Sequence, residues 1–192
     1  MRLVAPTVFL ALFATAAPVT AVLAHGPTPQ KVDQSVTIAA KPEAVWAVVG
    51  TFASIDTWHP DVARSEAVDG NAAGGRRKVT LKTGGTLDEG LDEMNDRTFT
   101  YSYRLSDADL KALPVSSYSA TLTVTPDGAG SKVEWLGRFY RGDTGNEPPE
   151  ELSDAAGKAA MNAYFANGLK GLKARVEGGK VEGGKVEGGK AK

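Results

Sequence analysis

The chain has no cysteine and only two histidines in 192 residues. Without thiols it can form no disulfide, thiolate metal site, thiol nucleophile or covalent haem linkage. It also lacks an excess of either charge. A formal net charge of −1 gives no basic footprint for nucleic acid, and no polybasic run suggests an anionic membrane surface. Hydrophobic residues at 42% and charged residues at 23% make a globular composition, and the length suits one domain with a real core.

Both ends stand apart from that domain. Residues 1–24 carry one charge, Arg2, then an apolar run interrupted by Pro6 and Pro18 and ending Val22-Leu23-Ala24. The run is too short and broken for a good spanning helix, and reads as an export signal cleaved before His25. The alternative is a short membrane anchor. Cleavage removes Arg2, takes the net charge from −1 to −2, and leaves no membrane span. At the other end, residues 176–190 repeat VEGGK three times. One apolar residue per repeat cannot offset the entropy of ordering, so residues 177–192 read as a flexible tail rather than a sticky arm for a partner. The expected domain is residues 25–176.

Within it, apolar alternation over residues 32–39 predicts a first strand. Pro42 opens a short helix, Gly50 ends it, and a second helical piece covers residues 52–58. Strands follow at 62–68, 76–83, 86–94, 98–105, 118–125 and 132–141, separated by turn pairs such as Asp69-Gly70, Gly84-Gly85 and Asp127-Gly128. Such tight connections make neighbouring strands antiparallel. A long helix from Pro148 or Pro149 to Val176 closes the domain, with Leu152, Ala156, Ala159, Ala163, Leu169, Leu172 and Val176 near one stripe. Gly157, Gly168 and Gly171 weaken it, so it bends or lies close to the sheet. The expected class is α+β: a seven-stranded antiparallel curved sheet gripping a long C-terminal helix.

The segments Ser35-Val36-Thr37-Ile38-Ala39-Ala40-Lys41-Pro42-Glu43-Ala44-Val45-Trp46, Asp56-Thr57-Trp58-His59-Pro60, Val133-Glu134-Trp135-Leu136-Gly137-Arg138-Phe139 and Gly168-Leu169-Lys170-Gly171-Leu172-Lys173 resemble the SRPBCC superfamily, the polyketide cyclase/dehydrase and Bet v 1/START-like group. The resemblance implies the helix-grip fold. It implies no single activity, because that superfamily hosts enzymes, lipid carriers and hormone binders. The stretch His25-Gly26-Pro27-Thr28-Pro29-Gln30-Lys31-Val32 behind an export signal is similar to the MxaD family of periplasmic methanol-oxidation proteins. That likeness implies a role beside methanol dehydrogenase and its cytochrome c acceptor.

The candidate site follows from strand parity. Tyr101 and Tyr103 share one strand face with Phe99; Trp135 and Phe139 share another with Val133; Tyr118 lies on the strand between. Turned toward the long helix, these rings line an apolar cavity with Tyr164 and Met161, or simply fill the core. The tyrosine hydroxyls favour a pocket, since each needs a polar partner. Glu89 falls on the face of Leu87 and Leu91, where a carboxylate needs a partner such as Arg77 or a tyrosine; a bulge at Gly90 would instead turn it to solvent. Trp58 and His59 end the second helical piece near the pocket mouth. His59 is a conceivable general base, but such a histidine more often caps a helix or packs on a tryptophan, and no nucleophile motif accompanies it. His25, as mature N-terminus, could chelate copper, though a firm site wants a second histidine; the bland reading is a disordered end. No metal spacing or phosphate loop appears. The expected ligand-binding set is therefore Trp58, His59, Glu89, Tyr101, Tyr103, Tyr118, Trp135, Phe139 and Tyr164, with no catalytic residue, metal or cofactor. Three functions remain: a non-enzymatic periplasmic accessory protein of a dehydrogenase, a carrier of a small hydrophobic ligand, and a cyclase-like enzyme.

Overall fold

The computed structural model describes residues 26–179. The expected export signal, His25 and the end of the VEGGK tail lie outside the described residues.

The order of elements is β1 (Gln30–Ile38), α1 (Pro42–Val49), a 3-10 turn (Phe52–Thr57), β2 (Val62–Ala67), β3 (Arg76–Leu81), β4 (Thr86–Asn95), β5 (Thr100–Asp107), β6 (Val115–Asp127), β7 (Gly130–Arg141), a second 3-10 turn (Glu150–Leu152) and α2 (Asp154–Gly178). The strands form one seven-stranded antiparallel sheet in the order β1-β7-β6-β5-β4-β3-β2. Consecutive strands from β2 to β7 are neighbours, joined by tight turns at β3–β4, β4–β5 and β6–β7 and by longer loops at β2–β3 and β5–β6. At the β3–β4 turn both Gly84 and Gly85 take positive φ, which a Cβ would strain. The helical pieces after β1 carry the chain across to the far edge, and β7 returns to pair with β1.

The two long edges of the concave face are covered differently. α2 packs mainly on β1 and β7, while the Phe52–Thr57 turn packs on β2 and β3. Side chains must fill the wider gap over β3 to β5. There the sheet turns Arg77, Tyr101 and Tyr103 inward, and β6 and β7 add Tyr118 and Trp135, all of them buried.

Several boundaries differ from expectation for local reasons. α2 starts at Asp154, after the prolines, because Ser153 caps it: its Oγ accepts from the Ala156 N–H at 3.2 Å. The inward stripe of α2 is Gly157, Met161, Tyr164, Phe165, Gly168, Leu169, Leu172 and Val176. Ala159 and Ala163, expected inside, face solvent. The glycines take their place because the helix lies too close to its neighbours for any side chain. A Cβ at Gly168 would sit 2.6 Å from both the His59 and Trp135 rings, and one at Gly171 would meet the Trp58 carbonyl. α2 also runs past Val176. Glu177 Oε1 accepts from the Ala39 N–H at 2.8 Å and from Lys173 Nζ at 2.7 Å, so this residue, expected in the tail, belongs to the helix. Phe99 precedes β5 with φ +49, and its ring rests on Trp46 with centroids 5.6 Å apart.

Candidate functional site

The concave face brings the predicted residues into one connected cluster. His59 stacks on Tyr164 with centroids 4.2 Å apart and meets Trp135 edge-on at 6.0 Å. Trp58 meets Trp135 at 5.7 Å. Trp135 Nε1–H donates to the Tyr103 hydroxyl at 3.0 Å, and Tyr103 lies against Tyr101 and Tyr118. Phe139 pairs with Tyr118 across the β6–β7 ladder. The expected apolar cavity is instead a bank of rings in mutual contact around an ion pair. A cleft of about 520 Å³ opens elsewhere, on the outer face, and of the predicted residues only Tyr118 borders it.

The ion pair settles the alternative left open for Glu89. The β4–β5 register does slip at Asp88/Glu89, but β3 holds Arg77 directly opposite Glu89, and both side chains point inward. Arg77 Nε–H donates to Glu89 Oε2 at 2.5 Å, and Arg77 Nη1–H donates to the Phe52 carbonyl. The Tyr118 hydroxyl donates to Glu89 Oε1. Arg77 and Glu89 are 1% and 0% exposed, so this is a wholly buried pair, tolerable only because both are bonded. The Phe52 ring lies 3.9 Å from the Arg77 Cζ and adds a cation–π contact. Burial opposes the Arg77 charge, but the Glu89 carboxylate beside it outweighs that and holds the guanidinium protonated above its ordinary range. Burial also pushes Tyr101 up to about 12 and the Tyr103, Tyr118 and Tyr164 hydroxyls well above 10, so all remain neutral donors.

His59 is fully committed to the fold. Its Nδ1 lies 3.2 Å from the Asp61 N–H, which donates to it, and its Nε2 lies 2.9 Å from the Tyr164 carbonyl. Those partners fix the neutral tautomer protonated at Nε2. Burial lowers its pKa to about 4, against the opposing pull of Asp61, so the ring is neutral at pH 7 with no free lone pair. It joins the turn after Trp58 to the middle of α2.

Not every buried group is satisfied. The Tyr101 hydroxyl bonds with the Arg77 side chain, whereas the Tyr164 hydroxyl and Trp58 Nε1 have no hydrogen-bond partner among the described residues. Each such group costs about 1–3 kcal/mol.

Sequence reasoning missed Phe52 and Phe165. Phe165 stacks on Trp135 with centroids 4.2 Å apart, and the 157-161-164-165-168 spacing would have revealed it. It also missed Arg141, which strand parity with Trp135 and Phe139 turns inward. Arg141 donates to the carbonyls of Asp143 and Gly145 and to Asp154 Oδ2 at 3.0 Å, fixing the loop before α2. Among the described residues no group of acidic or histidine side chains could hold a metal ion, and no helix is long and apolar enough to cross a membrane.

The curved sheet around a long C-terminal helix is the helix-grip, Bet v 1-like fold. Residues 29–177 match the polyketide cyclase / dehydrase and lipid transport family, and the chain belongs to it. Membership points to a fold suited to hydrophobic ligands. No curated protein matches the chain. Among solved structures, the protein XoxI from Bacillus cereus is similar at 28% identity and TM-score 0.65, over 78% of this chain and 97% of its own. A protein from Bacillus thuringiensis is similar at 27% identity and TM-score 0.64, over 77% and 99%. Ara h 8.0201, at 20% identity and TM-score 0.57 over 81% and 99%, shares the fold alone.

Proposed function

We propose that the mature chain is a non-enzymatic periplasmic accessory protein that assists a methanol-dehydrogenase-type enzyme and its cytochrome c acceptor. The observation that carries the non-catalytic half is the commitment of His59: both nitrogens are bonded to backbone, and nothing beside it is a nucleophile. Glu89 is likewise occupied on both oxygens. The export signal and the resemblance of residues 25–32 to the MxaD family support the compartment and the partner. The 28% identity to a protein named XoxI is consistent with a specialised branch of the family. A net charge near −2 leaves docking to modest patches, so association should be weak and salt-sensitive.

The test adds purified mature protein to methanol dehydrogenase and its cytochrome at low salt and follows electron transfer. The rate should rise, and the effect should fade as salt increases. An unchanged rate, together with no co-purification from periplasm, removes this reading. The second reading, a carrier of a small hydrophobic ligand, then stands first; membership of a family that includes lipid transport favours it.

A further inference from the structure

Arg138 is an exposed cation on the outer face of β7, and among the described residues its side chain makes no ion pair and no hydrogen bond. Its neighbours Trp135 and Phe139 turn inward toward α2, so Arg138 lies on the side of the sheet away from that helix. The strand pairings set it in a row. Arg104 of β5 lies opposite Ser119 of β6, Ser119 opposite Arg138, and Arg138 opposite Lys31 of β1. At one strand spacing per step, this row of three cations is about 14 Å long. Two outer clefts, of about 520 and 370 Å³, meet along it and share Ser119 and Arg138. Their lining carries Lys31, Arg104 and Arg138 against one carboxylate, Asp92, which Arg104 already engages at 2.7 Å. Lys31 is likewise paired, with Asp33 at 2.9 Å. The charge left over is at Arg138, in a chain whose total is negative. Apolar surface frames it. Leu136 and Tyr140, two residues to either side on the same face of β7, are 38% and 39% exposed.

We propose that this outer face of β5, β6, β7 and β1 docks an acidic protein surface, which sets a carboxylate on Arg138 and an apolar side chain between Leu136 and Tyr140. This rests on the accessory-protein reading and names the face and the chemistry of its partner. Charge complementarity selects the carboxylate, since the one guanidinium without a counter-charge is at the centre of the row. Breadth selects a protein. The polar side chains of the row are exposed, so a small free anion would stay solvated and be held weakly. A broad partner excludes water from the whole row, and arginine and tyrosine are the side chains that gain most when so covered. Ser117 and Ser119, small and exposed, keep the floor between the cations low enough for close approach.

The experiment follows the amide NMR signals of the isotope-labelled mature protein as polyglutamate is added at low salt, then repeats the electron-transfer assay with variants. Polyglutamate should shift the amides around Ser119, Leu136 and Arg138 before any others. Arg138→Glu breaks no bond of the fold, so circular dichroism should show it folded. It should lose those shifts and, with methanol dehydrogenase and its cytochrome, need roughly tenfold more protein for the same effect. Tyr140→Ser should weaken the effect less. Lys170→Glu makes the same charge change on the exposed side of α2 and should behave as the parent. Shifts spread evenly over the exposed cations, or an equal response of Arg138→Glu and Lys170→Glu, overturn the docking face and leave the accessory reading in place. Polyglutamate bound at Arg138, with no effect of the parent on electron transfer, keeps the face and removes the accessory reading. Binding to phosphatidylglycerol vesicles through this face, with none to polyglutamate or to either protein, makes it a membrane surface and overturns the proposal.

Discussion

The two halves of the concave face solve one packing problem in opposite ways. Under α2, side chains come close to backbone, and glycine makes that possible. Gly168 admits the rings of His59 and Trp135, and Gly137 admits Val32 and Phe165. Under the Phe52–Thr57 turn the cover is short, and the sheet fills the gap with long side chains, including a charged pair. The first half spends little on polar groups beyond the His59 clamp. The second buries an arginine and a glutamate bonded to each other.

Breaking the reaching half should have the largest effect. Glu89→Leu leaves Arg77 charged and buried without its partner, and should cost about 3–5 kcal/mol in chemical denaturation. Arg77→Met should cost a similar amount. The double variant should recover most of that loss, because no uncompensated charge remains. If each single variant costs less than the double, the pair is not what holds this half together.

Next comes the clamp of the contact half. His59 has an ordinary pKa near 6.5 when unfolded and about 4 when folded. Its contribution is therefore complete above pH 6.5, where both states are neutral. It is lost as pH falls from 6.5 to 4, because the unfolded chain takes up the proton first. The shift corresponds to roughly 3 kcal/mol. Unfolding free energy measured across that window should fall with acid, and His59→Gln should flatten this part of the profile. A parent profile flat between pH 6.5 and 4 would show that the ring is not buried neutral.

The smallest effect tests closeness itself. Gly168→Ala places a methyl 2.6 Å from two rings, which overpacks by about 1–3 kcal/mol. The gain in helix propensity, about 1 kcal/mol, offsets part of it. A net loss in melting temperature is expected, and a net rise would mean that α2 has room to move off the sheet.

Much of this was legible in the chain. The strand parities of Tyr101, Tyr103, Tyr118, Trp135 and Phe139 came from period-two alternation, which survives wherever a strand has one buried face. The turns came from glycine pairs whose backbone needs are local. In the α2 stripe Leu169, Leu172 and Val176 lie inward as expected, while Ala159 and Ala163 do not. Helix periodicity counts side chains, and the true contact face includes positions where there is none. Glu89 could not be placed from parity alone, since a register slip on the β5 side competes with a firm pairing to Arg77 on the β3 side.

The sequence by itself determined the element order, the antiparallel sheet and the family, because each rests on local turns, alternation and contiguous motifs. Only the tertiary structure decided that His59 is spent on the Tyr164 carbonyl, that Arg77 and Glu89 neutralise each other in the core, and that Tyr118 is spent on Glu89. Those facts depend on distances between residues far apart in the chain. Pattern along a chain says which face a side chain is on, while the gap between faces, set by how closely α2 approaches the sheet, says what that side chain must do there.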